Sequence, residues 1–366
     1  TTNGGGAEAG NITVNGAVSW SAATTLSLLA DASTGGVFIN ANISGSNASS
    51  GLVLSAGSGG ISQAGGTAIQ AGTLTATTAN GGSVTLTNTG NLVSTLGASS
   101  VAGSFALTSG QALTVSGNLT SNGTLSLATT SGALTINGAL TDSHANSSLT
   151  LSAAGDLILS KDVAQSGTNA AVSLTYGGSY SLSNGARVSL PDGGASLSLN
   201  GTSYTLIHDV TALQSIGGSG SYALGNDIDA SATSNWNSGA GFEAISGFSG
   251  TLAGFGHFVD SLTINRPTQS TQGLFGMLFG TARDLTLSNV SINGNGTVGG
   301  VAGRLSGGTL SNVHVTGTVT GQNAQVGGLV GWSDIAVIGL SSSAASVAGT
   351  DEVGGLVGRN RAGSIA

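Results

Sequence analysis

The chain has 366 residues, a formal net charge of −8, 64 glycines and 6% charged residues, against roughly 25% charged residues in typical globular domains. Hydrophobic residues at 39% exclude ordinary disorder, and two prolines exclude collagen. Seven scattered basic residues exclude a nucleic-acid interface, and the absence of cysteine excludes disulfides and thiol chemistry. A β-rich repeat protein remains.

Residues 10–200 carry short segments in which apolar and small polar side chains alternate, as they do in half-buried strands. One set comprises Leu26-Ser27-Leu28, Val53-Leu54, Val84-Thr85-Leu86, Phe105-Ala106-Leu107, Leu125-Ser126-Leu127, Leu149-Thr150-Leu151 and Val172-Ser173-Leu174. A second set comprises Ile12-Thr13-Val14, Val37-Phe38-Ile39, Leu113-Thr114-Val115, Leu134-Thr135-Ile136 and Leu157-Ile158-Leu159. Gly, Asn, Ser and Asp separate the segments and mark turns.

This spacing predicts an all-β chain, a right-handed parallel β-helix (β-solenoid) in the form of a single elongated rod of roughly 16 coils. Each coil contains two short strands and two or three turns, with Leu, Val and Ile inside and Ser or Thr outside. A compact β-sandwich is the competing fold, but it would want more aromatic residues and a less regular spacing.

Residues 201–270 change character and are rich in aromatic side chains. We expect a short helix at Asp209–Gln214 and a longer loop near 231–241 around Trp236. The remainder of this segment reads as wider, transitional coils.

The last quarter repeats one glycine frame four times, at intervals of 27, 28 and 27 residues. Such a period indicates units that bury their apolar face only by stacking on their neighbours. Glycines fit buried corners where nothing larger has room. The frame glycines are Gly273, Gly276, Gly300, Gly303, Gly328, Gly331, Gly355 and Gly358. We therefore predict three parts: residues 1–200, 201–270 and 271–366.

Two families resemble these patterns. The stretch from Tyr204 through Asp227-Ile228-Asp229, Gly250–His257 and Leu262–Ile264 to the Gly-Leu-Val-Gly frames resembles GLUG-motif regions of large bacterial surface proteins. The Leu-Thr-Leu coils of residues 10–175 resemble haemagglutinin-type repeats of filamentous-haemagglutinin adhesins. That resemblance implies two-partner secretion, a Gram-negative cell surface, and an outer-membrane secretion partner that acts through regions outside this chain.

Few residues offer chemistry. Asp227 and Asp229 lie two apart, on one side of a strand, and could serve glycoside hydrolysis. We interpret them instead as a turn at a repeat junction, and the four histidines, His257 and His314 among them, as isolated surface residues. We predict no catalytic residue, no metal and no cofactor.

The functional expectation is a non-enzymatic segment of a secreted bacterial adhesin that acts as a stalk and adheres to host cells, other bacteria or matrix polysaccharide. The expected partners are host-cell or matrix glycans, with neither nucleic-acid binding nor membrane insertion. A purely structural spacer and a β-helix polysaccharide-degrading enzyme are the alternatives. We expect the chain to be a piece of a longer protein.

Overall fold

The computed structural model describes residues 10–323 and 325–366, so residues 1–9 of the predicted first part lie outside the described residues. The chain divides into two compact units, Thr1–Thr202 (unit 1) and Ser203–Ala366 (unit 2). The predicted fold class is confirmed, because strands stack in parallel as a β-solenoid of about 14 turns, somewhat fewer than predicted. The three-part division of the sequence stays a prediction.

The strands of unit 1 are short and follow one another around each coil. They are β1 (Ile12–Val14), β2 (Val18–Trp20), β3 (Thr25–Leu29), β4 (Gly36–Ile39), β5 (Ile43–Gly45), β6 (Gly51–Ala56), β7 (Gly60–Gln63), β8 (Ile69–Thr78), β9 (Val84–Leu86), β10 (Leu92–Leu96), β11 (Ser99–Val101), β12 (Phe105–Ser109), β13 (Leu113–Val115), β14 (Leu119–Ser121), β15 (Leu125–Thr129), β16 (Leu134–Ile136), β17 (Leu140–Asp142), β18 (Ser148–Ala153), β19 (Leu157–Leu159), β20 (Val163–Gln165), β21 (Ala171–Tyr176), β22 (Tyr180–Leu182), β23 (Val188–Ser189) and β24 (Ser196–Leu199).

Each regular coil of unit 1 contains three strands, whereas two were predicted. The strands β12, β15, β18 and β21 form one parallel ladder, and β13, β16, β19 and β22 form a second. The third ladder, β11, β14, β17, β20 and β23, was missed. Three of its strands end in buried polar residues, Ser121, Asp142 and Gln165, and this weakens the apolar alternation.

The core of unit 1 consists of inward side chains stacked in register. Leu127 pairs with Leu107 on one side and Leu151 on the other, and the side chains of all three are buried. The outward neighbour Ser126 is only half-buried. The predicted division into apolar inside and small polar outside is confirmed, and burial of these rows is the main source of stability.

The first coils of unit 1 correct the predicted strand sets. Ile12 pairs with Val37, which leads through Ile61 to Val84 and hence to the Phe105 ladder. Leu52 instead pairs with Leu26 and Leu74 in another sheet. The sequence had placed these segments in the opposite sets, because the coils vary in length and no single spacing links the early segments to the later ones.

Unit 2 has longer and more irregular strands. They are β25 (Thr202–Ile207), β26 (Ser221–Leu224), β27 (Ile228–Asp229), β28 (Thr251–Ala253), β29 (Phe258–Asp260), β30 (Thr263–Gln272), β31 (Phe275–Leu278), β32 (Thr281–Gly299), β33 (Ala302–Ser306), β34 (Thr309–Gln322), β35 (Val326–Gly327), β36 (Val330–Asp334), β37 (Val337–Gly339), β38 (Ser342–Ser343), β39 (Ser346–Ala348), β40 (Val353–Gly354), β41 (Val357–Asn360) and β42 (Ser364–Ile365).

The transitional segment of unit 2 contains the predicted helix, α1 (Val210–Gln214), whose first turn is capped by the Asp209 carboxylate accepting the Ala212 N–H. A 3₁₀ segment, Ser231–Gly239, occupies the predicted loop. Trp236 stacks on Phe242 there, at 6.4 Å between ring centroids. The aromatic side chains thus fill coils too wide for aliphatic residues alone.

Candidate functional site

The four glycine frames build one small sheet in unit 2. Their strands β31, β33, β36 and β41 pair in parallel, so that Phe275, Ala302, Val330 and Val357 form one inward row. We call this four-stranded structure the frame sheet. Because every frame contributes the same positions, equivalent residues stand directly above one another along the unit.

The second glycine of frames two to four lies against the backbone of the preceding coil. A Cβ atom on Gly303 would come within 2.7 Å of the Thr271 carbonyl carbon, and one on Gly331 within 2.6 Å of a backbone nitrogen. Gly276 is less crowded, at 3.2 Å, and Gly358 repeats the 2.6 Å approach. Close backbone approach is therefore the reason for glycine at these positions.

The first glycine of each frame lies against the next coil. A Cβ on Gly273 would approach a backbone oxygen to 2.6 Å, and one on Gly300 would approach another to 2.5 Å. Gly328 is equally enclosed, with an oxygen at 2.3 Å. Gly355 differs, since a Cβ there would meet no described atom within 4 Å.

The residue that follows each frame points outward from the frame sheet. Met277, Arg304, Trp332 and Arg359 pair in register, and we call this row the frame column. The guanidinium carbon of Arg304 lies 4.7 Å from the centroid of the Trp332 ring, and that of Arg359 lies 5.3 Å from it. Two cations therefore flank one indole, an arrangement that cation–π attraction stabilises.

Two carboxylates accompany the frame column. Asp334 accepts a hydrogen bond from Arg304 Nη2 at 3.3 Å and lies 3.5 Å from Arg361 Nε. Glu352 lies 3.7 Å from Arg359 Nη1 and also accepts from Gln325. The exposed pair of Arg359 and Glu352 stabilises the unit little. Asp334, whose side chain is only 10% exposed, holds Arg304 and Arg361 beside the sheet.

A pocket opens beside the first residue of the frame column. Its volume is about 210 Å³, and its lining includes Met277, Gly276, Gln272, Ser246 and Glu243. The Gln272 side chain is only 4% exposed, and its Nε2 donates to two backbone carbonyls. Among the described residues its Oε1 has no hydrogen-bond partner. An acceptor is thus left unsatisfied in the pocket wall.

Sequence reasoning missed these residues. Each arginine or tryptophan of the frame column immediately follows a Gly-x-x-Gly frame, and this signal was available from the repeat alignment. It went unused because the four residues Met277, Arg304, Trp332 and Arg359 differ in type.

The predicted pair Asp227 and Asp229 does not form a shared site. Asp227 lies 3.0 Å from Nδ1 of His257 and accepts the Phe258 N–H. Asp229 accepts the N–H of Ser231 at the start of the 3₁₀ segment. Asp229 thus takes part in a local turn, whereas Asp227 bonds to residues of the next coil.

Asp229 instead faces Asp260, its register partner on the next coil. Hydrogen bonds from Ser231 lower the pKa of Asp229, and those from Ser288 and Ser261 lower the pKa of Asp260. Both groups are therefore ionised at neutral pH. A glycosidase needs one carboxyl group with a raised pKa as its general acid, and this pair does not supply it.

The histidines divide into two cases. His257, predicted to be an isolated surface residue, is only 3% exposed and pairs with Asp227, so that prediction is wrong. His314 points outward from its strand, as predicted, and its Nδ1 lies 2.8 Å from the Ser342 hydroxyl.

Within residues 10–323 and 325–366 there is no group of three or more His, Asp or Glu side chains arranged to hold a metal ion. In the same ranges, every helix is too short or too polar to cross a membrane.

The fold is a β-solenoid, and each frame places one residue at the same outward position. Residues 200–317 match the family described as the M26 IgA1-specific metallo-endopeptidase N-terminal region, which is less than half of the chain. Halomucin of Haloquadratum walsbyi (strain DSM 16790 / HBSQ001) is 46% identical over 136 residues, covering 34% of this chain. The chain spans about 2% of the length of halomucin. No solved structure matches.

Proposed function

We propose that the chain is a rigid, non-enzymatic segment of a large extracellular surface protein, in which it serves as a stalk and display surface. The observation that carries this proposal is the register of the inward rows, such as Leu107, Leu127 and Leu151. Each such strand bonds to a neighbour on both sides, so each coil is held by the next. The similarity to halomucin, a protein named as a mucin, supports an extracellular setting.

The finer proposal is an adhesin of the filamentous-haemagglutinin type, exported by two-partner secretion to the exterior of a Gram-negative cell. It rests on the resemblance of the coils to haemagglutinin-type repeats and of the frames to GLUG motifs. Seven of the eight predicted frame glycines, all but Gly355, lie where a Cβ atom would crowd neighbouring backbone. This requirement for glycine is compatible with such a repeat.

Surface labelling tests this function. Antibodies raised against the chain should label intact cells that produce the parent protein, and limited proteolysis of the purified chain should leave both units uncut. Labelling that appears only after the cells are made permeable would contradict an extracellular role. Rapid cleavage within the coils would contradict rigidity.

The enzyme alternative has a direct test as well. We expect no new reducing ends when the purified chain is incubated with polyuronates or neutral glycans. Turnover that is lost on Asp229→Ala or Asp227→Ala would replace the stalk proposal with a glycan-degrading activity.

A further inference from the structure

We propose that the frame column and the pocket beside it bind an acidic oligosaccharide in which charged and neutral sugars alternate. This inference rests on the proposed display function and gives it a ligand class. The site lies within unit 2 and runs from the pocket at Gln272 along Met277, Arg304, Trp332 and Arg359.

Positive charge is concentrated at this site. Three of the seven basic residues in the chain lie here, although the chain as a whole carries a net charge of −8: Arg304 and Arg359 flank Trp332, and Arg361 lies beside Asp334. Asp334 and Glu352 offset two of these charges and leave a surplus of one along the frame column, and the Glu243 carboxylate at the pocket balances that remaining charge. The overall negative charge opposes long polyanions, so a ligand with spaced acids fits better than one with continuous phosphates.

The spacing of the arginines favours a polysaccharide repeat. Arg304 and Arg359 lie two coils apart, which corresponds to about 9.6 Å along the unit. That distance is close to the length of one disaccharide in an extended β-linked polysaccharide. Each guanidinium can donate two parallel hydrogen bonds to a carboxylate or sulfate, so successive acidic sugars would meet successive arginines.

Trp332 fixes the positions of the two arginines. Because guanidinium groups flank its ring on both sides, the indole holds them in place rather than offering a free face for stacking. In the part of the chain that the structure describes, the indole N–H has no acceptor. This N–H is enclosed by protein atoms, so Trp332 serves the site by holding the two guanidinium groups in place.

The pocket suits a neutral sugar. A volume of about 210 Å³ accommodates a single sugar ring. The Gln272 Oε1 in the pocket wall is enclosed and unsatisfied, and a turn of that side chain would present it to a sugar hydroxyl. The exposed carboxylate of Glu243 at the rim disfavours an acidic sugar in the pocket. A neutral ring in the pocket and acidic rings over the arginines give the alternation that we propose.

Calorimetric titration of the full chain tests the proposal. The probe is a hexasaccharide of alternating glucuronate and N-acetylglucosamine, with chitohexaose as the neutral probe of equal length and tripolyphosphate as the simple polyanion. We expect the acidic hexasaccharide to bind at least tenfold more tightly than either of the others, and its affinity to fall as salt is raised. Equal affinity for tripolyphosphate would reduce the site to a general anion site and overturn the proposal, as would failure of the hexasaccharide to bind.

Three variants locate the binding. Arg359→Gln, which changes an exposed side chain, should weaken binding at least tenfold, and Arg187→Gln in unit 1 should leave it unchanged. Gly276→Ala adds a Cβ to the pocket wall and should also weaken binding. Affinity that survives Arg359→Gln would overturn the assignment of the site even if Gly276→Ala disturbed folding.

The outcomes separate this site from the function on which it rests. Loss of the site, with surface labelling of intact cells retained, would leave the stalk role standing without this ligand. Labelling confined to permeabilised cells would remove the extracellular role, whatever the calorimetry showed.

Discussion

Asp142 offers the sharpest test of how the interior of unit 1 is organised. It ends strand β17, its side chain is only 3% exposed, and it faces Gln165 on the next coil. Its Oδ1 accepts the His144 N–H at 2.8 Å. Over the described ranges, its Oδ2 has no partner, and neither do Ser121 Oγ and Gln165 Nε2 in the same inward row. The buried carboxylate is therefore only partly compensated, by the His144 N–H and by the Ser147 hydroxyl and the His144 imidazole nearby.

Asp142→Asn should stabilise unit 1 at neutral pH. Burial raises the pKa of Asp142, and the His144 amide, the Ser147 hydroxyl and the His144 imidazole oppose this only in part. Leaving a buried polar group unpaired costs about 1–3 kcal/mol, and more when the group is charged. Since the amide carries no charge, we expect hydrogen exchange in β17 and β20 to slow by about 5- to 150-fold at pH 7.

The pH dependence gives the sign of the effect. Because the folded-state pKa lies above the ordinary value of 3.8, the folded protein binds this proton more tightly than the unfolded chain. The wild-type protein is then relatively most stable below the ordinary pKa, and it loses stability as pH rises through the folded-state pKa. The advantage of Asp142→Asn should therefore be present at pH 7 and vanish at about pH 3.

Asp156→Asn is the matched control with the opposite sign. The N–H and hydroxyl of Ser179 donate to the Asp156 carboxylate at 2.6 and 2.8 Å and lower its pKa. This variant should be less stable than the wild type at pH 7, with the difference disappearing in acid. Faster exchange in Asp142→Asn at pH 7, or an unchanged advantage at pH 3, would show that the buried carboxylate is compensated and would refute the reasoning.

Three further predictions concern packing and capping. Leu127→Ala should lower the free energy of unfolding by about 3–5 kcal/mol, because the register-paired backbones cannot collapse into the cavity. The control Ser126→Ala, on the outward face, should change it little. Equal effects of the two variants in urea titrations would contradict the inward position of Leu127. Gly303→Ala should destabilise unit 2 by about 1–3 kcal/mol through its 2.7 Å backbone contact, while Gly355→Ala should be nearly neutral in thermal unfolding. Asp209→Ala should cost about 1 kcal/mol in local exchange of α1, and no change there would mean that the cap bond is not stabilising.

Much of the fold could be predicted, because alternation and spacing report directly on stacking. Leu107, Leu127 and Leu151 stand in one row, as the spacing predicts. The third strand of each coil escaped notice since its inward positions include Ser121 and Asp142, which read as turn residues. The early strands were assigned to the wrong ladders for a different reason. The coil length varies along unit 1, and no residue type marks where it changes.

The candidate site was much harder to predict. The pairing of His257 with Asp227 joins residues 30 positions apart, and it depends on the lengths of two irregular coils. The frame column depends on a simpler rule, that residues following equivalent glycines share a face. Arg304 and Trp332 could have been brought together from the frame alignment alone.

The frame sheet has a consequence for how such a protein can change its length. The four frames contribute equivalent residues to each inward row of the frame sheet. Gain or loss of a whole 27- or 28-residue repeat would therefore leave every inward row continuous. The frame column would change, because its outward residues differ from one repeat to the next. Removal of the repeat that contains Trp332 would place Arg304 beside Arg359, so that two like charges would be neighbours. The core therefore tolerates changes in the number of repeats, whereas the order of the repeats determines which residues are neighbours on the outer surface.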